Sequence, residues 1–92
     1  MAQRRVREMQ AALMGKGFRP REGDHRYMHL YVEGKKTSVR TKFSHAAEVY
    51  GDNLLAQLRR QLRLNRTQFD ELMECPMGEA EYAEALRQQG VI

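Results

Sequence analysis

The sequence is short of most residue patterns that announce a chemistry. Cys75 is the only cysteine, which excludes an internal disulfide and a cysteine-based zinc site. It precedes Pro76 at an apolar helix end, where a packed thiol is expected rather than a nucleophile. There is no Gly-rich phosphate loop, no Ser/His/Asp arrangement, no internal repeat and no Pro/Gly/Ser linker. No apolar run approaches the roughly 20 residues that span a bilayer. The N-terminal "MAQRRVREMQ" carries charge with no apolar signal region behind it, so a reducing cytoplasm is the expected compartment and no membrane partner is expected.

Acidic residues are also scarce over most of the chain. Residues 1–66 hold 15 Lys/Arg against 6 Asp/Glu, a balance of +9, while residues 67–92 hold one Arg against 6 Asp/Glu, a balance of −5. A basic body with an acidic tail points to a polyanion partner for the first part alone. At 92 residues, with 41% hydrophobic and 30% charged residues, the chain suits one small soluble domain.

Periodicity supplies the elements. "QRRVREMQAALMGKGF" reads as a helix with Val6, Met9 and Leu13 on its apolar stripe and Gly15 or Gly17 as its stop. Phe18–Arg21 suits a short edge strand, since Pro20 keeps it out of a sheet centre. "HRYMHLYV" alternates strictly, with Met28, Leu30 and Val32 on one face and His25, Tyr27, His29 and Tyr31 on the other. Glu33-Gly34-Lys35 turns the chain, and "KTSVRTKF" returns with Val39, Thr41 and Phe43 inward and Ser38, Arg40 and Lys42 outward. Asp52 is expected to cap a helix striped by Leu54, Leu55, Leu58 and Leu62, with Arg59, Arg60 and Arg63 on its other face. Asn65 and Gln68 have capping-box spacing ahead of Phe69, Leu72 and Met73. A last acidic helix is expected to bury Tyr82 and Leu86 and to stop at Gly90.

The expected fold is therefore α+β, in the order α-β-β-β-α with two further helices. The helices cover one face of a three-stranded antiparallel sheet and leave the other face free. Residues 1–64 form the core, and 65–92 an acidic helical extension packed on the same domain. The free face interleaves rings that stack on bases with cations that hold phosphates, as a single-stranded or irregular RNA requires. The expected RNA-binding residues are Arg21, Tyr27, His29, Tyr31, Lys35, Lys36, Arg40 and Lys42. No metal site or cofactor is expected: His25 and His29, four residues apart on a strand, lie ~13 Å apart and cannot share an ion, and His45 has no carboxylate cluster beside it.

The stretch "GKGFRPREGDHRYMHL" resembles the Gly-Phe…Arg-x-x-Gly-Ser-His-x-x-(Tyr/Phe) signature of the HicA toxins. "KTSVRTKFSHAAEVYGDNLLAQLRRQLRL" is similar to the rest of that domain, through Thr37, Val39, His45, Glu48, Val49, Gly51, Leu55, Leu58 and Gln61. The resemblance covers roughly residues 8–64. It implies a double-stranded-RNA-binding-domain-like fold and a metal-independent endoribonuclease that cleaves mRNA and is neutralised by a HicB-like antitoxin partner. It also implies that His25 is the catalytic residue. A histidine there can take a proton from a ribose 2′-hydroxyl or give one to the leaving 5′-oxygen. Asp24 stands where the family has serine, next to His25, whose imidazole a carboxylate can orient.

Two other readings use the same residues. A binding module of this fold would hold RNA or a protein without cleaving, and Asp24 favours it. A helix-turn-helix DNA binder fits the rhythm of "LLAQLRRQLRLNRTQFDELMECP" and ranks last, because the helix after it carries Glu79, Glu81 and Glu84, which phosphates repel.

Overall fold

A computed structural model describes residues 3–44, 47–74 and 76–92, with the backbone alone at Asp24 and His25. It is an α+β fold with a three-stranded antiparallel sheet and four helices. The chain runs β1 (Arg4–Arg5), α1 (Val6–Met14), β2 (Phe18–Arg21), β3 (Asp24–Val32), β4 (Lys35–Lys42), β5 (Val49–Tyr50), α2 (Asp52–Gln61), α3 (Arg66–Met73) and α4 (Glu79–Gln88).

The first helix buries Val6, Met9 and Leu13, as its stripe predicts, but it starts later than expected. Arg4 and Arg5 are extended and pair antiparallel with Tyr50 and Val49 in a small second sheet. Tertiary partners explain the change. The Arg4 guanidinium donates to Glu74 at 2.7 Å and Asp70 at 3.1 Å and lies 5.9 Å from the Phe69 ring centre. Of the two glycines that follow α1, Gly17 has the stricter requirement. Its φ is +101°, and a Cβ there would meet Glu79 Oε2 at 3.0 Å and the Tyr31 carbonyl oxygen at 3.1 Å.

The central sheet has the order β2-β3-β4, with Phe18 opposite Leu30, Arg19 opposite His29, and His29 opposite Arg40. The β3–β4 hairpin turns on Glu33 and Gly34, both left-handed at φ 53° and 80°, the pattern of a two-residue loop matched to strand twist. The register slips between His29 and Tyr31. There the Thr37 hydroxyl donates to the Leu30 carbonyl at 2.9 Å and accepts from the Val39 N–H at 3.1 Å, filling hydrogen bonds the ladder loses.

Met28, Leu30, Val39 and Phe43 face the helical layer and are buried, with Thr41 among them. Leu55, Leu58 and Leu62 of α2 and its exit meet them, while Leu54 is only half-buried at the edge of its stripe. Gly51, not Asp52, is the α2 N-cap. Asp52 is the first helical residue, where its carboxylate still faces the positive end of the helix dipole. The Asn65–Gln68 capping box forms in both directions, at 2.8 and 3.1 Å. From α4, the Tyr82 ring stacks on Phe18 at 6.0 Å, and its hydroxyl donates to the Leu62 carbonyl at 2.8 Å. The last helix thus closes the same core. The thinnest dimension of the molecule is 19 Å, room for one sheet and one layer of ~10 Å helices. The opposite face of the sheet is left open.

Candidate nucleic-acid interface

Strand alternation positions the open face. With Phe18 and Pro20 directed to the core side of β2, Arg19 emerges opposite His29, and beyond an irregularity in register after Pro20 the Arg21 guanidinium reaches the Tyr27 ring. From β4, Lys42, Arg40 and Lys36 stand opposite Tyr27, His29 and Tyr31. Directly opposed residues of an antiparallel pair share a face. Five cations on two flanking strands therefore frame three rings on the central one.

The rings are already in contact with cations. The Arg19 guanidinium lies 4.4 Å from the Tyr31 ring centre. Arg21 and Lys42 approach Tyr27 at 5.3 and 4.8 Å. An exposed cation–π contact of this kind contributes only about 0.5–1 kcal/mol. A base stacked on an aromatic side chain gains about 1–3 kcal/mol, more than such a contact contributes. An arginine plane can also stay in place and stack on the base itself.

His29 sits between the two tyrosines. Partial burial, and then the neighbouring Lys36, Arg40 and Arg21 charges, lower its pKa from the ordinary value. Burial and the surrounding positive charge both disfavour the imidazolium form.

Two grooves cross this face. One of about 580 Å³ is lined by Arg21, Tyr27, His29, Arg40 and Lys42, and beyond the β4 edge by Gln61 and Arg63. The other, about 530 Å³, is lined by Arg19, Arg21, Glu22, His29, Tyr31, Lys36 and Arg40. Among the described residues, Glu22 is the one carboxylate lining either groove.

Seven of the eight expected RNA-binding residues therefore come together: Arg21, Tyr27, His29, Tyr31, Lys36, Arg40 and Lys42. Lys35 does not join them. It pairs with Val32, whose side chain belongs to the helix-facing side. His25 lies in β3 two residues before Tyr27, and its side chain, like that of Asp24, is outside the described residues. So are His45 and Cys75 as a whole. Among the described residues no cluster of three or more metal-ligating side chains occurs.

Arg19, Gln61 and Arg63 are added by the structure. Arg19 was legible, since it alternates with Phe18 and Pro20. Gln61 and Arg63 are far away in sequence, and only the packing of α2 against β4, sealed by the Thr41 hydroxyl donating to Gln61 Oε1, brings them to the groove. The chain matches no family model, no curated protein and no solved structure. Among the described residues no helix is long and apolar enough to cross a membrane.

Proposed function

We propose that this protein binds single-stranded or irregular RNA across the open face of its central sheet and cleaves it as a metal-independent endoribonuclease of the HicA type. One observation carries the binding: three rings, Tyr27, His29 and Tyr31, spaced two residues apart on one strand and framed by Arg19, Arg21, Lys36, Arg40 and Lys42. Alternate residues of a strand are ~7 Å apart, far enough for a separate base to lie on each ring. Extended single strands present bases in this way, and a closed duplex does not.

The catalytic assignment rests on the resemblance and places His25 beside this platform, as acid or base toward the ribose 2′-hydroxyl and the leaving 5′-oxygen. Cations at the face stabilise the charge that builds on phosphorus. The same resemblance supports a double-stranded-RNA-binding-domain-like topology and a HicB-like antitoxin as the partner that silences the activity.

Asp24 favours a second reading, in which the face binds RNA without cutting it, because a carboxylate beside the scissile phosphate repels it. A labelled mRNA incubated with the protein in EDTA separates the two. The nuclease reading expects cleavage that His25→Ala abolishes. Salt-sensitive retention without cleavage, unchanged in His25→Ala, establishes the binding module instead. A protein that neither retains nor cuts RNA removes both.

A further inference from the structure

We infer that Arg63, outside the sheet, is a specificity-determining RNA contact that draws the strand over the β4 edge onto the end of α2. The inference rests on the RNA-binding reading above. The exit of α2 is a Schellman turn, with the Leu64 N–H donating to the Arg59 carbonyl at 3.2 Å and the Arg63 N–H donating to the Arg60 carbonyl at 3.1 Å. Leu64 at its end is buried, as this motif prefers. In such a turn the residue after the C-cap is left-handed, and glycine is favoured there because any Cβ is strained. Here that residue is Arg63, at φ 64°.

The arginine side chain does not explain its own presence by packing, since it is exposed. Instead it lines the groove of about 580 Å³, across from Arg40 and Lys42. Its backbone is held from behind, where Gln89 Nε2 of the last turn donates to the Arg63 carbonyl at 2.7 Å. Gln61, two residues earlier, is fixed toward the same groove by its bond to Thr41. A strained residue retained at a cost to the fold, with its charge aimed into a basic groove, is the pattern of a position kept for its ligand. The other cations of the groove sit on the sheet and contact a strand lying flat. Among the described residues lining the groove, Arg63 is the one cation that comes from the helical layer, so it can hold a phosphate one step beyond the sheet edge. The ligand it selects is a single strand that extends past the three-ring platform, not an isolated nucleotide or a trinucleotide.

The decisive variant is Arg63→Gly, because it relieves the backbone while removing the charge. Its melting temperature is expected to stay equal or rise, whereas its affinity for a labelled single-stranded oligonucleotide of about ten residues falls several-fold. The slope of log affinity against log salt is expected to fall by about 0.7, one single-strand phosphate contact. Arg63→Lys retains most of the slope, and a trinucleotide binds wild type and Arg63→Gly equally. Unchanged affinity and slope in Arg63→Gly overturn the inference while leaving RNA binding by the sheet intact. A drop in melting temperature in Arg63→Gly also overturns it, since the side chain would then serve the fold. If the wild-type protein itself shows no salt-dependent binding, the underlying RNA reading fails first, and this one with it.

Discussion

His29 shows how a single residue reports the state of the whole face. Its pKa is lowered by partial burial and by Lys36, Arg40 and Arg21, and Arg19 stands opposite it on β2. The unfolded chain, with a histidine pKa of about 6.5, therefore binds the proton more readily than the folded one. Stability present above that pH is lost as pH falls through the folded pKa. On the proposed RNA-binding reading, a bound phosphate chain would favour the imidazolium, so binding and protonation would reinforce each other. Affinity for a single-stranded oligonucleotide, measured by anisotropy at constant ionic strength, is expected to increase between pH 7.5 and pH 5.5. His29→Gln should flatten much of that rise. A variant with the full wild-type pH dependence would show that another group is responsible. The sequence identifies His29 as a face residue by alternation alone, but the convergence of three cations upon it is a product of strand register, and register depends on both strands and the turn between them.

At the scale of elements, the periodic segments were the legible ones. Val6, Met9 and Leu13, the alternation of β3 and the Asn65–Gln68 capping box all appear where spacing places them, because each is a pattern written within one segment. The small β1–β5 sheet was not legible. Arg4 and Arg5 continue a helical pattern in sequence, and distant groups, Asp70, Glu74 and the β5 backbone, pull them into a strand. The final helix is tied in by Tyr82, whose pKa burial drives far above the ordinary value. Its hydroxyl serves as a neutral donor to Leu62. Tyr82→Phe keeps the ring on Phe18 and leaves the Leu62 carbonyl without its partner, so a loss of about 1–2 kcal/mol is expected in urea unfolding. Tyr82→Ala also empties the space of a ring and should cost about 3–5 kcal/mol. Equal losses for the two variants would mean that the Phe18–Tyr82 packing contributes nothing.

At the scale of the molecule, Tyr82, Leu86, Phe69 and Leu72 share one apolar cluster with the sheet residues Phe18, Met28, Leu30 and Val39. A domain of this size has little core to spare. Truncation after residue 64 exposes Phe18 and Leu62 and removes the Arg4 partners Asp70 and Glu74. The shortened chain is expected to lose the cooperative thermal transition of the full chain in circular dichroism. Retention of a sharp transition near the full-length melting temperature would show that the acidic segment is dispensable for folding. Charge is distributed with the same logic. The acidic helix buries Tyr82, Ala83 and Leu86 against the core side of the sheet, so it lies on the side of the sheet away from the basic face.

What the sequence by itself determined was local: which residues face the core on each strand and helix, and that one face of the sheet would present rings among cations. Periods of 2 and 3.6 are readable without knowing any neighbour. The tertiary structure alone decided the reach of that face. It brought Gln61 and Arg63 from the end of α2 to the groove, placed Lys35 on the other side and made a strand of Arg4 and Arg5. Those outcomes depend on contacts between segments separated by up to 70 residues, and no pattern within either segment records them.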